Sequence, residues 1–135
     1  MKMKMKSMLC VLLALPVAAW SQGPAEALQG RWSGMWSSKS TSASGDLELR
    51  FASTEGNPFS GQIRQTRPDN ANWRCSEQLD PIEVRRSGES FTFDYSPGGR
   101  CAKASHAFRL QDGKLLGVYR LPTGAESEYV LTKQP

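Results

Sequence analysis

Short runs of alternating apolar and polar residues follow one another along most of this chain, and the connections between them alternate in length. Tight turns are indicated at 55–58, 87–89 and 112–113, and longer loops at 37–44, 67–81, 96–104 and 122–126. Successive connections of an up-and-down sheet lie at opposite ends, so the long loops share one end and the tight turns share the other. A closed antiparallel barrel with one capped end and one open end has this property.

The alternating runs predict eight strands with a period of two residues. In chain order they are Gly30–Ser37, Gly45–Ser53, Phe59–Thr66, Ile82–Arg86, Ser90–Tyr95, Ser105–Gln111, Lys114–Leu121 and Glu128–Lys133. Asp112-Gly113 is a strong hairpin signal, and a type I′ turn there would set Leu110 opposite Leu115. No stretch shows sustained helical periodicity or a tandem repeat. We therefore predict an all-β fold, a small up-and-down antiparallel meander that closes as an eight-stranded barrel.

The sequence leaves open whether the barrel interior is filled or hollow. The inward positions are rich in Phe, Tyr, Trp and Leu, which favours a filled interior. Gly34, Gly61 and Gly117 favour the opposite, because a missing side chain opens space or permits a bend. A barrel of eight strands is just wide enough for its own side chains or for one small ligand.

The N-terminus is typical of a secretory signal peptide, which we assign to residues 1–21. A basic start precedes the apolar run Met8–Ala19, and small residues allow cleavage after Ser21 or Ala19. The run is too short to cross a bilayer as a helix, so no stable membrane span is expected. We predict a periplasmic or secreted protein in which residues 22–135 form a single barrel domain.

The cysteine count indicates one disulfide after export. Cys10 lies inside the apolar run and leaves with the signal, so Cys75 and Cys101 are the two thiols of the mature chain. Thiols pair in an oxidising compartment, and both residues lie in long loops at the same predicted end. Closing this loop should stabilise the fold by about 3–4 kcal/mol.

The charge of the mature chain is close to balanced. The full chain has 17 Lys and Arg against 13 Asp and Glu, and removing the three lysines of the signal leaves 14 against 13. Both signs alternate along the strands, whereas a nucleic-acid partner requires a concentrated basic face. We therefore expect no nucleic-acid binding.

Catalytic and metal chemistry find little support in the residues. His106 is the only histidine, and no nucleophile, carboxylate or ligand cluster with suitable spacing accompanies it. We predict a protein without enzymatic activity, metal or cofactor. By the parity of its strand, His106 faces the barrel interior near the open end, where a structural or rim role is favoured.

The longest loop contains a candidate binding feature. Trp73 and Arg74 precede Cys75, and the predicted disulfide would hold them near Arg100. An aromatic residue with arginines on a tethered loop is the composition of a binding hot spot. The alternative, which is favoured slightly, is that Trp73 folds down as a lid on the core. His106 completes the set of candidate binding residues.

The first strand begins with a G-x-W motif, Gly30-Arg31-Trp32. This motif resembles the start of the first strand in lipocalins and related calycin barrels. In those families the tryptophan packs across the closed end under a basic side chain from the end of the last strand, so the resemblance implies that Lys133 covers Trp32. It also implies that a ligand or partner meets the open-end loops. The chain lacks the T-D-Y-type turn and the C-terminal helix of typical lipocalins.

A closer likeness is to small secreted bacterial barrel proteins that share a set of short motifs and two cysteines. The motifs are W-x-G-x-W, F/L-S-G-x-I, G-x-x-F-T-F and G-x-x-x-G-x-Y, and here they are met by Trp32–Trp36, Phe59–Ile63, Gly88–Phe93 and Gly113–Tyr119. The function of that group is largely unknown. The resemblance therefore implies the fold and leaves the activity open.

Two functions are compatible with these features. The first is an exported binding protein for a small apolar or amphipathic ligand at the open barrel end. The second is a protein–protein module, such as a hydrolase inhibitor, that presents its disulfide-tethered loops to a target. An empty interior would favour the ligand, and a filled one would favour the partner. We expect a monomer in either case.

Overall fold

The computed structural model describes residues 24–66, 78–96 and 103–135, which form a closed antiparallel barrel. The eight strands are β1 Gly30–Ser38, β2 Ser44–Phe51, β3 Phe59–Gln65, β4 Asp80–Ser87, β5 Ser90–Tyr95, β6 Ala104–Gln111, β7 Lys114–Arg120 and β8 Glu126–Lys133. Each strand pairs with the next, and β8 pairs with β1. The predicted up-and-down barrel is confirmed. The predicted signal peptide lies outside the described residues.

Side-chain alternation explains why these segments form strands. In β5, Phe91, Phe93 and Tyr95 are buried, while the residues between them are exposed. The hairpin between β6 and β7 also follows the prediction. Asp112 and Gly113 have positive φ angles of 53° and 78°, as a type I′ turn requires, and Leu110 pairs with Leu115.

The predicted alternation of short and long connections is wrong at one place. β2 ends at Phe51, so the β2–β3 connection covers residues 52–58 and is longer than the β1–β2 connection at residues 39–43. A side chain holds this connection in place of a tight hairpin. The amide of Asn57 donates from Nδ2 to the backbone carbonyl of Arg86 and accepts from the backbone N–H of the same residue, both at 2.9 Å.

A short helix that the sequence pattern did not predict closes one end of the barrel. This helix, α1, spans Pro24–Ala27, and Leu28 directly after it is fully buried. The indole Nε1 of Trp32 donates to the carbonyl oxygen of Leu28 at 2.8 Å. We call this end, which also holds the two-residue hairpin turns, the closed end. The other end is the open end.

The closed half of the interior is filled by stacked aromatic rings. Phe108 lies 5.2 Å from Phe91 and 5.9 Å from Phe51, measured between ring centroids, and both pairs are nearly parallel. The inward glycines make room for such rings rather than for empty space. A Cβ atom at Gly61 would lie 2.7 Å from the Phe51 ring, and one at Gly117 would overlap the ring of Tyr129.

The outer wall holds a buried carboxylate. Glu48 alternates with the inward residues Leu47 and Leu49 of β2 and so points outward, yet only 7% of the residue is exposed. It accepts hydrogen bonds from Arg50 at 2.5 Å and Arg64 at 2.7 Å, and Arg31 lies 3.5 Å away. Partial burial opposes ionisation, but the Arg50 hydrogen bond and the surrounding arginine charges outweigh it. The pKa of the Glu48 carboxyl is therefore held below its usual range.

Removing this charge should destabilise the barrel. We expect Glu48→Gln to lower the free energy of unfolding by about 1–3 kcal/mol, because three neighbouring guanidinium groups lose their common counter-charge. Glu128→Gln, at an exposed position of β8, is the control and should change stability by less than about 0.5 kcal/mol. Urea denaturation measures both. Equal stability of the two variants would contradict a structural role for Glu48.

Candidate functional site

The open half of the barrel has a polar interior, unlike the closed half. One cross-strand row runs through Phe93, His106, Tyr119 and Ser127, which are register partners on β5 to β8. All four side chains face inward and are buried. The row lies near the open end, where β5 ends and β6 begins. The loops at this end are those that the sequence predicts to meet a ligand or partner.

His106 lies at the centre of this row and is 2% exposed. Its ring is stacked between Phe93, at 4.4 Å between centroids, and Tyr119, at 4.9 Å. Strand pairing produces this arrangement, since residues directly opposite on adjacent strands have Cβ atoms about 5 Å apart. Both faces of the imidazole are therefore covered, and its polar atoms are accessible only along the ring edge.

Tyr129 approaches His106 because of a glycine. Tyr129 on β8 pairs with Gly117 on β7, and the tyrosine ring occupies the space that a Gly117 side chain would fill. The Tyr129 hydroxyl thus lies 3.0 Å from His106 Nδ1, although β7 separates their strands. A second hydrogen bond joins Gln65 Nε2 to the Tyr119 hydroxyl at 3.0 Å. We call His106, Tyr119, Tyr129 and Gln65 the interior polar cluster.

One atom of the interior polar cluster is unsatisfied. His106 Nε2 is buried and has no hydrogen-bond partner among the residues that the structure describes. Buried polar atoms are normally paired, and an unpaired one costs about 1–3 kcal/mol. The unpaired His106 Nε2 therefore destabilises the fold unless a further group hydrogen-bonds to it.

Burial keeps His106 uncharged. Removal from water lowers the pKa of its imidazole to about 3. Burial likewise raises the pKa of the neighbouring Tyr129 hydroxyl, and burial together with the Asp80 hydrogen bond raises that of Tyr95. All three groups are neutral over the physiological pH range.

This burial predicts a pH-dependent stability. Between its ordinary pKa of 6.5 and its folded-state pKa of about 3, His106 binds a proton only in the unfolded chain. The stability contributed by the neutral imidazole is thus complete above pH 6.5 and is lost as the pH falls toward 3. At pH 5 this one group should lower the free energy of unfolding by about 2 kcal/mol relative to pH 7.5.

Urea denaturation at pH 7.5 and pH 5 measures this dependence. The control is His106→Phe, which keeps the stacking between Phe93 and Tyr119 and removes the titrating group. Subtracting the pH dependence of the variant isolates the contribution of His106 from that of the surface carboxylates. An identical pH dependence in both proteins would contradict a neutral, buried histidine.

The pairing between β4 and β5 ends beside this cluster. The register partners of β4 and β5 begin with Ser87 and Ser90 at the hairpin turn and end with Arg85 and Thr92. Beyond this pair, toward the open end, the described residues of the two strands have no register partners. The Tyr95 hydroxyl donates to Asp80 Oδ2 at 2.7 Å and bridges the two strands there. An outer groove of about 920 Å³ begins at these strands and crosses β6 and β7. Phe93 and His106 also line this groove.

The outer wall also carries an exposed apolar patch. Met35 is 58% exposed and Val130 is 50% exposed, and the two residues pair across β1 and β8. Leu116 on β7 continues the row. These residues line a groove of about 690 Å³ that also contains Arg109 and Glu128. We call Met35, Val130 and Leu116 the outer apolar patch.

The structure places some of the predicted site residues and does not describe others. Lys133 Nζ lies 5.7 Å from the Trp32 ring centroid, over the ring, and 3.3 Å from the carbonyl oxygen of Ala27. Gly30, at the start of β1, lies against the Lys133 side chain. His106 faces the interior. The remaining predicted site residues lie outside the described residues; they are Cys75, Cys101, Trp73, Arg74 and Arg100.

The interior polar cluster contains residues that the sequence reasoning did not include among the candidates. The alternation within β7 and β8 predicts that Tyr119 and Tyr129 face inward. Gln65 was not singled out, although it follows Ile63 by two residues on the same strand face. The alternation of side chains within each strand places these residues inside the barrel. The pairing register between strands then decides which of them contact His106.

The described ranges contain no helix with the length and apolar character needed to cross a membrane. Within the same ranges, no three His, Cys, Asp or Glu side chains come together as a metal site.

The strand order and closure define an eight-stranded barrel with the up-and-down architecture of lipocalins and other calycins. No protein-family model matches the chain, and no curated protein matches its sequence. Among solved structures, the chain is similar to crystal structures of two mutants of the fluorescent protein UnaG. For one, the TM-score is 0.48 at 13% identity, covering 82% of this chain and 98% of that chain. For the other, the TM-score is 0.46 at 14% identity, and the match covers 80% of this chain and 96% of that chain.

Proposed function

We propose that this protein is an exported binding protein that holds a small amphipathic ligand in the open half of its barrel and has no catalytic role. The observation that carries the proposal is the buried Nε2 atom of His106, which has no partner among the described residues. A ligand that hydrogen-bonds this atom would remove the penalty of about 1–3 kcal/mol for an unsatisfied polar group. Binding sites of this kind combine an apolar lining with a few placed polar groups.

The surroundings of His106 suit an amphipathic molecule. The interior polar cluster offers hydrogen bonds, while Trp36, Phe93 and the partly buried Leu121 offer apolar contact close to it. A ligand would then direct a polar group toward His106 and its apolar body toward the open end. A second route would lead between β4 and β5 near the open end, where no register partners join these strands in the described residues and the Tyr95–Asp80 hydrogen bond bridges them.

Export is part of the proposal and rests on the N-terminal sequence. Residues 1–21 combine a basic start, an apolar run and small residues before the cleavage site. In the periplasm or outside the cell, Cys75 and Cys101 would form a disulfide that links two open-end loops. Such a link would restrain the loops through which a ligand passes.

A fluorescence titration with Nile red tests the binding function. This neutral, apolar dye brightens in an apolar environment and carries a carbonyl group. We expect saturable one-to-one binding to the full mature chain, and about tenfold weaker binding to His106→Phe, which corresponds to the loss of one hydrogen bond.

The matched control for this titration lies on the outer wall. Met35→Ser removes the most exposed large apolar side chain of the described residues without touching the interior. It should leave the dye affinity unchanged. Absence of saturable binding, or a loss of binding in Met35→Ser while His106→Phe binds normally, would contradict a ligand site in the barrel.

A second candidate function is binding to another protein. The observation that favours it is the dense packing of the described interior, where the inward aromatic and aliphatic side chains contact one another throughout the closed half. A module of this kind would use the open-end loops that contain Trp73 and Arg100, for example to inhibit a hydrolase. Recovery of a stoichiometric protein partner together with a ligand-free barrel would favour this function.

A further inference from the structure

We propose that the ligand head group is an uncharged hydrogen-bond acceptor, such as a ketone, ester or amide carbonyl, and that the site discriminates against carboxylates. This inference rests on the proposed function, because it specifies the chemistry of the same site. It follows from three features of the interior: which ring nitrogen of His106 holds the proton, which charges face the open half, and how the imidazole is stacked.

The hydrogen-bond partners of the two ring nitrogens indicate which of them holds the proton of His106. Tyr129 is fully buried, and its hydroxyl has the contact with His106 Nδ1 at 3.0 Å. If the hydroxyl donates to Nδ1, the proton of the imidazole is on Nε2, and one donor remains unpaired. If instead Nδ1–H donated to the hydroxyl, both the hydroxyl hydrogen and the Nε2 lone pair would lack a partner in the described structure. Because each unpaired buried group is costly, the first arrangement is favoured. The free atom is therefore an N–H donor, and its ligand must be an acceptor.

The charges around the open half disfavour an anionic acceptor. Every lysine and arginine among the described residues is exposed or half-buried, so none of them is an interior counter-charge for a carboxylate. The carboxylate of Asp80 accepts a hydrogen bond from Tyr95, whose ring centroid lies 6.4 Å from that of His106. Burying an unpaired carboxylate costs several kcal/mol, and a second carboxylate nearby adds repulsion.

The stacking of the imidazole limits how the acceptor approaches. Phe93 and Tyr119 cover the two ring faces, with interplanar angles of 15° and 22°. The acceptor must therefore approach Nε2–H along the ring edge, in the plane of the imidazole. A single carbonyl oxygen on a slender chain meets this requirement with one good hydrogen bond.

The test uses the full mature protein and two probes of equal chain length, methyl decanoate and decanoate, at pH 7.5. Because His106 is the only histidine, ¹⁵N labelling of histidine gives one imidazole whose two nitrogen signals report the tautomer directly. In the free protein, we expect a protonated Nε2 and an unprotonated Nδ1. Methyl decanoate should shift the Nε2 signal at saturation and bind about tenfold or more tightly than decanoate.

A variant separates the head-group preference from the general apolar affinity. His106→Phe should bind the two probes with more nearly equal affinity, because the donor that distinguishes them is gone. The wild-type spectra keep the test decisive even if this variant folds poorly.

Each alternative result has a distinct meaning. If the free protein shows a protonated Nδ1, the tautomer assignment and the head-group inference are overturned. If decanoate binds as tightly as the ester and shifts Nε2, the head-group inference is overturned while the binding function stands. If neither probe perturbs the imidazole signals, the binding function itself is contradicted, and the head-group inference with it.

Discussion

Replacing Phe108 with alanine should lower the free energy of unfolding by about 3–5 kcal/mol. Phe108 is the centre of the aromatic stack in the closed half, where it contacts Phe91, Phe51 and Phe93 with centroid distances of 5.2, 5.9 and 6.1 Å. The truncation leaves a cavity enclosed by rings that are themselves fixed on paired strands, so the surroundings have little freedom to collapse. The midpoint and slope of urea denaturation measure the effect.

The control for Phe108 is Val130→Ala on the outer wall. Val130 is 50% exposed, and truncating it should cost no more than about 0.5 kcal/mol. A small effect of Phe108→Ala, comparable to that of the control, would mean that the interior is loosely packed. Such a result would contradict the filled closed half described above.

The second large effect is expected at Gly117. Gly117→Val should destabilise the barrel by about 3 kcal/mol, toward the upper end of overpacking effects, because the new side chain overlaps the ring of Tyr129. The ring has little room to move, since Trp36 is its register partner on β1 and His106 contacts its hydroxyl. The variant should also break the Tyr129–His106 hydrogen bond, which the histidine ¹⁵N signals would report.

Ala107→Val is the matched control for Gly117. Ala107 is exposed on β6 and points away from the interior, so an added valine side chain meets solvent. Valine also suits a strand, and stability should change by less than about 0.5 kcal/mol. If Gly117→Val were as stable as this control and kept the hydrogen bond, the glycine would not be what allows Tyr129 to reach His106.

The strands were predictable from the sequence because the burial of one face imposes a period of two. In β5 and β3, every second side chain faces the core, so the alternation of residues reports the strand directly. The register of the β6–β7 hairpin was also predictable, because Asp112 and Gly113 tolerate the positive φ angles that a two-residue type I′ turn requires. The strand bounds shift by only one or two residues from the prediction.

Three features could not be predicted because they depend on contacts distant in the chain. The helix α1 is too short to show a helical period, and its position follows from packing across the closed end. The β2–β3 connection is held by Asn57 against the backbone of Arg86, which belongs to another strand. Glu48 is buried by Arg64 from the neighbouring strand, so an outward carboxylate became inaccessible.

The candidate site was predictable only in part for the same reason. Parity placed His106 inside and near the open end, and it placed Tyr119 and Tyr129 on the inner face. The hydrogen bond between His106 and Tyr129 crosses a strand, and it depends on the missing side chain of Gly117. No local pattern carries that information. The sequence thus indicated His106, Tyr119 and Tyr129 but not Gln65, and the barrel register determined which of these side chains meet.

Native mass spectrometry most directly tests the central claim that the open half of the barrel holds a small ligand. The protein would be recovered without denaturant from the periplasmic or secreted fraction of its own host, in parallel with His106→Phe. We expect the wild-type protein to carry a small uncharged adduct that is lost on denaturation, and the variant to carry much less of it. A bare wild-type barrel recovered with a stoichiometric protein partner would contradict this account and would favour the partner-binding function.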